Sequence, residues 1–133
     1  MSKKRQLLNQ TCSAERERYL RTAVLCDVCG RVEPKDVHEI ARGPARNKAV
    51  TERCTWLAVC RACHEDLDDY KTWTLARQLA VKLVVDPEFF DLDKFNALRG
   101  RSSRAITLVD VADYLDVREM KEVSGAAGRF PQQ

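Results

Sequence analysis

A chain of 133 residues with 44% hydrophobic and 32% charged side chains suits one compact, soluble domain, because a second independent core would leave each half too little apolar surface to bury. With two Trp, three Tyr and four Phe the core is modest, and a metal staple would help it. The formal charge of +3 is uneven: residues 1–64 hold 13 Lys/Arg against 7 Asp/Glu and residues 65–133 hold 10 against 13, which turns the first half toward polyanions. No stretch approaches membrane-spanning length, and the basic start Met1-Ser2-Lys3-Lys4-Arg5 leads into no apolar run of a secretion signal. A cytoplasmic protein without a membrane partner is therefore expected, its six cysteines reduced and serving a metal ahead of disulfides.

In chain order, residues 1–12 read as a basic tail. Ser13 caps a helix to about Leu25, with Tyr19, Leu20, Ala23 and Val24 as its apolar stripe. Residues 35–41 read as a short strand that Arg42-Gly43-Pro44 breaks into a basic loop, and residues 55–59 read as a second strand. A helix follows from about Arg61 to Val85, with a break near Thr72-Trp73-Thr74. Asp86-Pro87 supplies a cap and first-turn proline for a further helix ending near Gly100, and Thr107 with Asp110 offers a capping box for a last helix to about Lys121. Residues 13–85 thus form the principal domain, 86–121 a helical extension and 122–133 a disordered tail.

The strongest signal is a pair of Cys-x-x-Cys motifs, Cys26-Asp-Val-Cys29-Gly30 and Cys60-Arg-Ala-Cys63, with thirty residues between the inner cysteines. Two-residue spacing lets both thiolates of a turn reach one tetrahedral ion, and Gly30 permits the tight backbone after the first pair. Four sulfurs close the coordination sphere, so a zinc ion held by Cys26, Cys29, Cys60 and Cys63 is expected to be structural. Cys12 and Cys54 read as ordinary thiols.

The only two histidines are tied to this frame: His38-Glu39 lies between the pairs, and His64 directly follows the last cysteine. With them, Leu25 to Asp68 resembles zinc-stabilised HNH (ββα-metal) endonucleases, in which a strand carries a His doublet and the second pair opens a helix as Cys-x-x-Cys-His. The His38-Glu39 doublet with Gly43 and Arg46 is also similar to HNH proteins of bacteriophages, which implies a phage or prophage origin.

The resemblance implies a small α+β fold with a treble-clef or ββα-metal core around the zinc, an N-terminal helix and further C-terminal helices. It implies hydrolysis of DNA phosphodiester bonds with a catalytic Mg²⁺ or Mn²⁺, centred on His38, Glu39 and His64. Such cleavage needs a divalent ion against developing charge and a base to activate water. His64 and Asp68, one helical turn apart, share a face that His38 would approach from the strand. Either His38 is the ligand and Glu39 the base, or His38 is the base and Glu39 or Asp36 faces the ion; a glutamate is the weaker base. The family asparagine falls near Thr55, with Asn47 as its one substitute in the intervening segment. Arg42, Arg46, Lys48, Arg53 and Arg61 are the phosphate-contacting candidates.

Two other readings stand beside this one. A non-catalytic treble-clef zinc module would bind nucleic acid or a protein partner, and a Cys-x-x-Cys redox enzyme would need a thiol of depressed pKa and no bound zinc. Phe89 to Leu98 and Leu108 to Leu115 also suit a helix-turn-helix, but Asp110, Asp113 and Asp116 would repel phosphate from its recognition helix. Docking of the C-terminal helices on the core or on a partner protein is favoured instead.

Overall fold

Two short strands organise the chain, whose structure, a computed structural model, describes residues 3–41, 45–100 and 103–115. β1 (Asp36–Glu39) pairs antiparallel with β2 (Trp56–Val59), His38 opposite Leu57 and Glu39 opposite Trp56. Side chains alternate across a strand, so this register turns Val37, Glu39, Trp56 and Ala58 to one face and Asp36, His38, Leu57 and Val59 to the other.

The first face is covered by α1 (Lys3–Thr22), whose Tyr19 forms a buried cluster with Trp56 and Ala58, the two rings edge-on at 5.5 Å. The second carries the main core, where Leu57 and Val59 meet Cys26, Cys60 and Cys63, then Leu67 of α3 (Arg61–Leu67) and Leu79 of α4 (Leu75–Val85). Every residue of β2 is buried, which accounts for an unbroken Trp-Leu-Ala-Val run where a half-exposed strand would alternate.

The remaining elements are α2 (Ala45–Ala49) and a 3-10 turn (Arg53–Thr55) within the expected basic loop, α5 (Leu92–Arg99), and α6 (Leu108–Ala112). Among the described residues no helix is long and apolar enough to cross a membrane.

Several boundaries differ from the sequence expectation, each for a local reason. α1 begins at Lys3, so most of the expected tail is helical; it ends at Thr22, whose hydroxyl donates to Tyr19 O (2.6 Å), before the chain turns toward the cysteines. The long helix does break: Thr74 Oγ1 caps α4 by accepting from Arg77 N (3.2 Å), and the Arg77 guanidinium lies 3.6 Å from the Trp73 ring centre. Asp91, not Asp86, caps α5, its Oδ1 accepting from Lys94 N (3.0 Å). The Thr107–Asp110 capping box forms as expected. The continuation to Lys121 and the tail from 122 lie outside the described residues.

Asp86 is unavailable as a cap because it sits in a buried charged network. Lys82 on α4 is fully enclosed, and its ammonium donates to Asp86 Oδ2 (2.8 Å), Trp56 O (2.8 Å) and Tyr19 OH (3.1 Å). Three N–H groups thus meet three acceptors. Arg53 completes the network through Nε and Nη2 on the same carboxylate, at 3.1 and 3.2 Å, with its guanidinium 3.8 Å from the Phe89 ring centre. Burial alone would raise the Asp86 pKa, but the Arg53 hydrogen bonds and the Lys82 charge outweigh it and hold the carboxyl below its usual range. The network ties α1, β2 and α4 together.

Candidate metal centre and active site

The four cysteines converge. Their sulfurs lie within 4.8 Å of one another, and among the described residues no other group of three or more His, Cys, Asp or Glu side chains is placed to hold a metal ion. A tetrahedral ion bound at about 2.3 Å sets sulfurs roughly 3.8 Å apart, so a shift of about 1 Å closes the cluster. The donor set therefore fits a structural metal such as zinc.

Each pair is built by its local backbone. After Cys26 the chain doubles back, with Gly30 N donating to Cys26 O (2.9 Å) and Cys26 N to Val32 O (2.7 Å), and Gly30 occupies φ +63°, the left-handed region open to glycine. Asp27 pins the turn to the sheet: its N donates to Ala58 O (2.8 Å) while Ala58 N donates to its Oδ2 (2.7 Å). Cys60 is the extended N-cap of α3, which sets Cys63 on the first helical turn.

The thiols compete for ionisation. Burial and the neighbouring Cys60, Cys26 and Cys29 push Cys63 up strongly, and burial pushes Cys26 up. For Cys29 burial also acts upward, but the Arg31 N–H and the Cys26 and Cys63 thiols outweigh it and bring the pKa to about 7. Cys29 ionises near neutrality while Cys26 and Cys63 resist, a conflict that a divalent cation relieves. The two remaining cysteines are buried outside the cluster: burial raises Cys54 to about 11, and Cys12 Sγ donates to Val50 O (3.6 Å).

Beside this cluster the two imidazoles meet. The His38 and His64 rings stand edge-on with centres 5.3 Å apart, and His64 Nδ1 lies 3.2 Å from Asp36 Oδ2. The strand register explains the grouping, since Asp36 and His38 share the face toward α3 and α4. Asp36 and His64 are part-exposed; His38 is 3% exposed, with Nε2 2.8 Å from Gln78 Oε1.

Glu39 stands elsewhere. Its place on β1 faces α1, where Arg16 Nη1 donates to Glu39 Oε1 (2.6 Å) and Arg16 Nη2 to Val37 O (3.2 Å). Of the two carboxylates weighed beside His38, the strand brings Asp36, not Glu39, to the imidazoles. Asp68 is exposed at the C-cap of α3, one turn beyond His64. Thr55, at the expected asparagine position, is fully buried and ties the loop together, its hydroxyl proton shared between Glu52 O (2.8 Å) and Ala49 O (3.1 Å).

The basic candidates divide. Arg61 is exposed and, with Lys35, Arg16, Asp36 and His64, lines an open groove of about 460 Å³. Lys48 is exposed on α2. Arg53 departs from the expectation of a phosphate contact, because its guanidinium is engaged by Asp86 and Phe89. Arg42 and the side chains of Arg46 and Asn47 lie outside the described residues.

Sequence reasoning did not single out Arg16, Lys35 or Gln78. Lys35 carries the signal of a cation at the edge of the strand, whereas Arg16 on α1 and a glutamine inside an apolar helix give none. Comparison of the chain with protein-family models, with curated proteins and with solved structures returns no match.

Proposed function

We propose that this protein is a metal-dependent endonuclease of the HNH type acting on DNA. In this reading a zinc ion on Cys26, Cys29, Cys60 and Cys63 fixes β1 against α3 in a treble-clef arrangement. The observation that carries it is the meeting of Asp36, His38 and His64 beside the four thiols, with 5.3 Å between ring centres and 3.2 Å from His64 to Asp36.

Asp36 and His64 would hold Mg²⁺ or Mn²⁺, which supplies charge neutralisation at the phosphodiester when bound. Two protein ligands suffice for an ion that keeps several waters and takes substrate phosphate oxygens. His38 accepts the proton of the attacking water as the new P–O bond forms and the P–O bond to the leaving strand breaks. Lys35 and Arg61 bind backbone phosphates along the groove. Glu39 has no chemical role here: with Arg16 it fastens α1 to the sheet.

Supercoiled plasmid is the test substrate. Nicking is expected in Mg²⁺ or Mn²⁺ and should fall at least about 100-fold in His38→Ala and in His64→Ala, with zinc content retained. Undiminished nicking in both variants would overturn the assignment.

The pairing of Glu39 with Arg16 favours a second reading, a zinc module that binds without cutting. Plasmid would then stay intact with every ion, while salt-sensitive gel shifts would mark a nucleic-acid partner and their absence a protein partner.

A further inference from the structure

Gln78 is fully buried on α4, and its amide is over-determined. Its Nε2 donates to Trp73 O (2.8 Å) and to Leu67 O (3.1 Å), which uses both hydrogens of the NH₂ group on carbonyls that only accept. The reversed amide would set its oxygen against two carbonyl oxygens. Orientation is therefore fixed by the surroundings, and Oε1 faces His38 Nε2 at 2.8 Å. A carboxamide oxygen cannot donate, so the hydrogen in that contact belongs to the imidazole.

We propose that Gln78 is a positioning residue that holds His38 as its Nε2–H tautomer. On the neutral ring the lone pair then resides on Nδ1, the nitrogen turned away from Gln78. The same side chain also serves the helix break. Leu67 ends α3 and Trp73 lies in the turn before α4, so Gln78 satisfies carbonyls that the break leaves without helical partners. One residue thus both supports the α3–α4 turn and faces His38.

The consequence for catalysis rests on the nuclease reading, in which His38 is the base; the tautomer itself does not. The chain has only two histidines, so nitrogen-15 histidine labelling gives two rings, told apart with His64→Asn. In the zinc-loaded full-length protein at a pH where the ring is neutral, His38 Nε2 is expected to carry the one-bond proton coupling and Nδ1 the shift of an unprotonated nitrogen. In Gln78→Met the ring should move toward a tautomer mixture and nicking should fall roughly 10-fold.

A wild-type His38 protonated at Nδ1 would overturn the proposal, and this measurement uses a variant, His64→Asn at a part-exposed ring, for assignment alone. An unchanged tautomer in Gln78→Met would overturn it equally. Wild-type protein that shows the Nε2–H ring, shifts in Gln78→Met and never nicks DNA would support the positioning role and defeat the nuclease reading alone.

Discussion

Chelating the proposed zinc is expected to unfold the core, with loss of helical circular dichroism and a red shift of Trp56 and Trp73 fluorescence. Three of the four cysteines belong to the main core cluster, and the sheet they flank is two strands of four residues each. So short a sheet has little independent stability. Structural zinc contributes about 10–16 kcal/mol in small metal-folded modules, which equals or exceeds the roughly 5–15 kcal/mol that stabilises a typical domain. Cys63→Ser should behave like the chelated protein even with zinc in excess, because three thiolates and a hydroxyl bind far more weakly. Elemental analysis should find one zinc per chain. A protein stripped of metal that kept its spectrum would contradict the structural role.

The second large effect is expected at Lys82, one turn beyond Gln78 on α4 and outside the proposed reacting groups. Lys82→Met keeps the aliphatic bulk but removes the ammonium; Trp56 O keeps the Tyr19 hydroxyl as a donor (2.8 Å), but Asp86 is left dependent on Arg53. Breaking a buried ion pair from one side typically costs about 3–5 kcal/mol, because the other charge stays buried. Urea denaturation at pH 7 reads this directly as a lower midpoint with unchanged slope. A midpoint within error of wild type would show that the network carries no stability.

The same network sets a pH dependence. The folded-state pKa of Asp86 is depressed, so its contribution is fully present above the unfolded carboxylate range near pH ~4 and is lost as pH falls through the folded value. Lys82→Met should flatten this acid-side loss, since Asp86 then gains less from ionising.

How far the sequence reached follows from the kind of signal each feature leaves. The two Cys-x-x-Cys pairs, the strands between them and the Thr107–Asp110 box were legible because spacing and capping chemistry are local. Asp86 reads as a helix cap because Asp-Pro is a good local cap, yet its carboxylate is claimed by Arg53, 33 residues earlier in the chain, and by Lys82, one turn back on the α4 helix that Asp86 ends. Arg53 looks like a phosphate contact for the same reason: its ring partner Phe89 lies 36 residues onward and nothing local marks the pair.

Glu39 shows the opposite limitation. As the neighbour of His38 it is adjacent in sequence, yet the two-residue period of a strand sends neighbours to opposite faces, and Asp36, two residues before, is the one that shares the imidazole's side. The expected strand over residues 35–41 already contained all three residues, but the doublet pattern kept His38 and Glu39 together where alternation separates them. Gln78 was invisible because its importance lies in acceptors from a helix break that its own side chain satisfies.

The central claim is that Asp36, His38 and His64 form one reactive centre while Glu39 belongs to the scaffold. Its most direct measurement compares plasmid nicking in Mn²⁺ by Asp36→Asn and by Glu39→Gln, each shown first to retain zinc. The account predicts that Asp36→Asn loses at least about 10-fold in rate, as removal of a metal-holding group does, while Glu39→Gln keeps its rate and loses only stability through Arg16. Full activity in Asp36→Asn together with its abolition in Glu39→Gln would contradict it.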